Sequence, residues 1–110
     1  MKKMFTLLSL SLLLLSLSPS YTMASVALGK KLYKKKFYKS CGFSGVEFAR
    51  KHTQAEWEEI YRSGGLPQEA RTICPSLEKM TLKTKDWKSI HQYVTKYASD
   101  GAYIPNGCTD

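Results

Sequence analysis

Apolar residues run almost unbroken from Met4 to Ser18, in "MFTLLSLSLLLLSLS", and afterwards return only at helical spacing. From about Val26 or Leu28 to Ser40 the pattern predicts a helix, with Tyr33 and Phe37 able to pack inward between lysines. Gly42 and Gly45 then interrupt it, with Phe43 and Val46 as core candidates; glycines so close together suggest a turn of unusual dihedrals or a close backbone approach. Thr53 followed by Glu56 has the spacing of a capping box, in which the hydroxyl and the carboxylate each satisfy a backbone N–H of the first turn. Trp57, Ile60 and Tyr61 then share one face, and Gly64, Gly65 and Pro67 end the helix. A short helical segment is expected from about Gln68 to Ile73, closed by Cys74 and Pro75, with loop from Pro75 to Lys83. The last helix opens at Thr84 and carries Trp87, Ile90, Val94 and Tyr97 on one stripe, widened by Tyr93 and stopped by Asp100 and Gly101. No strand pattern competes, so the expected class is all-α, with Trp57 and Trp87 both in the core.

The N-terminal apolar run lies behind Lys2 and Lys3 and ahead of "YTMAS", which places Thr22 and Ala24 at the small-residue positions of a secretory cleavage site. The run is shorter than the roughly 20 apolar residues a bilayer span requires. Residues 1–24 therefore read as a signal peptide and 25–110 as one helical domain exported to the periplasm. Lys and Arg number 17 against 9 Asp and Glu, a formal charge of +8. Loss of Lys2 and Lys3 leaves about +6, which suits an acidic protein or an anionic membrane surface as neighbour. Nucleic acid is not expected, because no nucleic-acid-binding module is recognisable. Export also permits disulfides, and the three cysteines, Cys41, Cys74 and Cys108, allow one intramolecular bond with one thiol left over or bonded to another chain. The favoured pair is Cys74 with Cys108, which would tie down the "PNGC" tail and leave Cys41 reduced; the other pairings stay open. Closing such a loop contributes on the order of 3–4 kcal/mol in the chain-entropy model.

"GKKLY" at 29–33, "HTQAEWEEIY" at 52–61 and "LKTKDWKSIHQYVTKYASD" at 82–100 together resemble the opening, middle and closing helices of a small class I c-type cytochrome. The likeness extends over nearly all of 28–97 and is to divergent cytochrome-like periplasmic proteins, as in relatives of Campylobacter and Helicobacter. It implies a cytochrome-c-like helical domain whose last helix crosses the first. It would also imply a covalent haem, which needs two thiols and an imidazole in Cys-x-x-Cys-His. Carrying the family's spacing on from Gly29 and Tyr33 puts Phe37 and Ser40 at the cysteine positions and Cys41 at the histidine position. Shifting by one puts Tyr38 and Cys41 at the cysteines and Gly42 at the histidine. Neither frame provides the set. Met80 lies where the family's second axial ligand would fall, so Cys41 and Met80 are the candidate haem contacts if the chain is an electron carrier after all. His52, before a helix cap, is expected to interact locally with the helix end, and His91, beside the apolar stripe, to be a surface or partly buried side chain and not a ligand.

The expected function is thus that of a haemless interaction or accessory protein, without cofactor, metal or catalytic site. Its candidate docking residues are Lys30, Lys31, Lys34, Lys35, Lys36 and Lys39. On a helix Lys31, Lys35 and Lys39 follow one another at i+4, and Lys30 and Lys34 form a neighbouring row. The alternative function is a haem-binding electron carrier. A reactive Cys41, activated by the nearby lysines, is the one enzymatic candidate, but no acid–base partner accompanies it.

Overall fold

In the computed structural model, which describes residues 22–102, the first helix begins where Thr22 can cap it: the Thr22 hydroxyl accepts from the Ser25 N–H at 3.2 Å. The expected signal run and Cys108 lie outside the described residues, and the bond after Ala24 falls in the first helical turn. Helix α1 is a rod over 23–41. It is α-helical over Met23–Leu32, π-helical over Tyr33–Phe37, where the Tyr38 N–H donates to the Tyr33 carbonyl, and α-helical again over Tyr38–Cys41. It stops at Gly42, whose φ of 76° is costly for a residue with a Cβ, while its N–H satisfies the Tyr38 carbonyl at 2.9 Å.

The turn expected at Gly42 and Gly45 occupies 42–44, and Gly45 opens a short helix that was not expected, α2 (Gly45–Ala49). Ser44 caps it by accepting from the Glu47 N–H, and Val46, Phe48 and Ala49 are buried. Helix α3 (Gln54–Arg62) has the capping box predicted from Thr53 and Glu56. Its Trp57 is fully buried, and the indole N–H donates to the Ala49 carbonyl at 2.7 Å, fixing α3 on α2. Helix α4 (Leu66–Ile73) starts two residues before the expected Gln68, since Pro67 suits a first turn that needs no donor there. The segment read as loop contains a 3₁₀ turn, Pro75–Leu77, with Leu77 buried. Helix α5 (Thr84–Lys96) takes Lys83 as its cap residue, without a side-chain cap bond, so Thr84 is its first helical residue and not its cap. Ile90, Tyr93 and Val94 are buried as the stripe predicts, but Trp87 is only half-buried, at the edge of the core.

The α1–α5 pair is the most extensive helix contact of the fold. It closes on Gly29: a Cβ there would lie 2.3 Å from the Ser89 carbonyl oxygen and 2.6 Å from Tyr93 Cβ. The Thr22 N–H donates to Gln92 Oε1 at 3.0 Å, which ties the start of α1 to the middle of α5. Below the crossing the core is aromatic. Tyr33, Phe37 and Phe48 pack within 5.3–5.7 Å of one another, centroid to centroid, and Phe48 stacks on Trp57 at 5.8 Å. The domain is thus small, compact and all-α, with one disulfide, and no strand forms among the described residues. Among the described residues no helix is long and apolar enough to cross a membrane.

Candidate docking surface

Burial of Tyr33 and Phe37 fixes the orientation of the rod and turns its lysines outward. Lys30, Lys31, Lys34, Lys35, Lys36 and Lys39 are all exposed, and no carboxylate among the described residues lies within ion-pair distance of them. The Tyr33 hydroxyl donates to the Phe43 carbonyl at 2.7 Å, so the inward side of the lysine stretch is held by a hydrogen bond as well as by packing. The six residues singled out from the sequence therefore do share one element and face solvent.

Beside them the structure adds residues that the sequence did not single out. Where α1 approaches the first turns of α5, a groove of about 480 Å³ opens. Leu28, 54% exposed, and half-buried Leu32 give it an apolar lining, with Lys31 and Lys35 on one side and Lys85 and Lys88 on the other. Asp86 is the single carboxylate of that lining. Leu28 entered the sequence reading only as a possible start of the helix, and the lysines of α5 join it only through the helix crossing.

The disulfide corrects the sequence reading. Cys41 bonds to Cys74, with Cα atoms 5.2 Å apart, so the expected Cys74–Cys108 pair does not form and Cys41 is not a free thiol. The reason lies in the end of α1: the left-handed turn at Gly42 halts the rod beside the 3₁₀ turn after Cys74, and Cys74 is buried against it with 3% exposure. Cys41 is therefore neither the reactive thiolate nor the thioether donor that it would have been in its reduced form.

The donors present do not fit a covalent haem. Phe37, at the first-cysteine position of one frame, is fully buried between Phe48 and Trp87. Cys41 has its sulfur engaged by Cys74, and Gly42, at the histidine position of the shifted frame, is a helix terminus. Met80 is half-buried and packs on the core cluster.

Both histidines are engaged by glutamates. His52 Nε2 lies 2.7 Å from Glu69 Oε2, its Nδ1 lies 3.7 Å from Glu56 Oε1, and its ring meets Trp57 edge-on at 4.7 Å. His91 is more buried than expected. It stacks on Tyr61 at 4.0 Å, and its Nε2 sits 2.9 Å from Glu58 Oε2 without the alignment of a hydrogen bond. Burial holds its imidazole below the usual histidine range, and the neighbouring Glu58 carboxylate offsets only part of that. Among the described residues no group of three or more His, Cys, Asp or Glu side chains could hold a metal ion. Compared with models of protein families, with curated proteins and with solved structures, the chain finds no match in any of the three.

Proposed function

We propose that this chain is an exported, haemless, cytochrome-c-like accessory protein that works by docking an acidic periplasmic protein on the lysine face of α1. The observation that carries the reading is that face itself: six exposed lysines within 30–39, without carboxylate partners among the described residues. Like charges gathered on one side raise encounter rates with an oppositely charged surface and orient the encounter. The rod that presents them is held by its close crossing with α5 at Gly29 and, at its far end, by the Cys41–Cys74 bond. The cytochrome-like part of the reading is supported by the crossing of α1 and α5 at Gly29, within the same "GKKLY" that carries the resemblance. Its haemless part is supported by the ring of Phe37 in the core and by the engagement of the Cys41 sulfur.

Two measurements test it. The full chain, made in a host that matures c-type cytochromes, is recovered from the periplasm, denatured and examined by absorbance and intact mass. The expected product is processed and free of covalent haem; haem retained through denaturation would restore the electron carrier. In the second, binding of fluorescent polyglutamate is followed by anisotropy. It should weaken as salt is added and vanish when all six lysines of 30–39 are reversed to glutamate. Binding that ignores both changes would remove the docking reading.

A further inference from the structure

The lysine face continues into a groove that contains more than charge. Lys31 and Lys35 stand on one side, Lys85 and Lys88 on the other, and Leu28 and Leu32 lie between them. Its volume, about 480 Å³, falls within the roughly 300–1,000 Å³ of ordinary ligand sites. Leu28 is among the three large hydrophobic side chains that the described residues leave most exposed. A ligand satisfying the whole groove must therefore carry carboxylates and an apolar side chain close together.

We infer that the groove receives an extended acidic segment of the partner in which carboxylates alternate with apolar side chains, a proposal that rests on the docking reading above. Two arguments select that occupant. The first is spacing. Residues i and i+4 of a helix are about 6 Å apart along the axis, while alternate residues of an extended chain are about 6.6 Å apart. Carboxylates two residues apart therefore match Lys31 and Lys35, and the residue between them is of the opposite face, free to meet the leucines. The second is shape and charge. The lysines flank a concave groove on two crossing helices, so a peptide laid along it can contact both sides and the leucines between them at once. Asp86 is the one carboxylate of the lining and disfavours a ligand carboxylate set directly against it.

The probe is a fluorescein-labelled peptide of alternating glutamate and valine, titrated with the full mature chain and read by anisotropy at low ionic strength. Lys31→Glu combined with Lys88→Glu should weaken binding at least tenfold, and Leu28→Ser about threefold to fivefold. Lys34→Glu combined with Lys36→Glu, which belong to the docking face but not to the groove, should weaken binding clearly less than the first pair. A peptide of the same composition with its glutamates in one block should bind several-fold more weakly. All the substituted residues are exposed, so circular dichroism should show each variant folded. Equal losses for both lysine pairs, with no effect of Leu28→Ser or of peptide order, would overturn the groove while leaving docking by diffuse charge intact. Absence of binding by both this peptide and polyglutamate would remove both readings. Vesicles of mixed anionic and neutral phospholipid provide the remaining arm: retention on them, without peptide binding, would overturn the proposal in favour of a membrane surface.

Discussion

Replacing Gly29 by alanine sets two known effects of opposite sign against each other. In an open helix the change stabilises, because alanine is favoured over glycine by about 1 kcal/mol. Here the new Cβ would lie 2.3 Å from the Ser89 carbonyl oxygen and 2.6 Å from Tyr93 Cβ. Neither atom belongs to the far end of a flexible side chain, so the helices themselves must move. Carbon contacts settle near about 3.5–4.0 Å, which requires α1 and α5 to part by about 1 Å. A gap of that size forfeits about a quarter to a half of the dispersion energy of the contacts it opens. Overpacking of this kind costs about 1–3 kcal/mol and occasionally more, and the backbone clash puts Gly29 at the upper end. After the propensity gain, Gly29→Ala should be less stable than the parent by about 2 kcal/mol. Urea unfolding followed by tryptophan fluorescence and far-ultraviolet circular dichroism measures this, provided both transitions coincide. A variant as stable as the parent, or more stable, would mean that the helices do not meet at Gly29, and the crossing described above would be wrong.

Further outcomes follow from other parts of the core. Non-reducing peptide mapping should recover Cys41 joined to Cys74, and Cys41→Ser should cost about 3–4 kcal/mol for a 33-residue separation; a Cys74–Cys108 peptide would overturn the pairing. Trp57→Ala should cost about 3–5 kcal/mol, and Trp87→Ala clearly less, because the first ring is fully buried and the second half-buried; the reverse order in chemical unfolding would contradict the packing. The lowered pKa of His91 means that the unfolded chain takes up its proton first. Stability should therefore hold above the ordinary histidine pKa of about 6.5 and fall as the pH drops toward the folded-state value, by at most about 1.4 kcal/mol per pH unit from this group. His91→Gln should flatten that decline in a series of urea midpoints, and an unchanged slope would show that other groups set it.

Period and capping chemistry made the long elements legible. The Thr53–Glu56 box, the stripe of α5 and the inward pair Tyr33 and Phe37 all depend on residues close in sequence, and all stand in the structure. What escaped depends on residues brought together by the chain's path. Helix α2 is too short to show a period and follows directly on the turn that Gly42 and Gly45 indicated, although Ser44 supplies a cap and Phe48 and Ala49 pack on Trp57's side of the core. The cysteine pairing depends on where Gly42 halts α1, which cysteine spacing does not encode. The candidate docking surface was half visible: the lysines of 30–39 were read from their run, but Lys85 and Lys88 become their neighbours only because Gly29 lets α5 approach.

The π-helical stretch Tyr33–Phe37 acts as a phase shift within a single rod. An α-helix advances by about 100° per residue, and a wider turn holds one residue more, so everything after Phe37 is rotated relative to an uninterrupted helix. Tyr33 and Phe37, four residues apart, both stay on the core across that turn, and Cys41 beyond it arrives facing Cys74. Deleting one residue among Lys34, Lys35 and Lys36 would let the rod wind as ordinary α-helix through this stretch. Every side chain beyond the deletion would then nearly keep its angular setting. Deleting one residue after Phe37 has no such slack to draw on, and would swing Cys41 away from its partner by about 100°. The same rod is thus tolerant of length change at its lysine-rich centre and intolerant of it only four residues on.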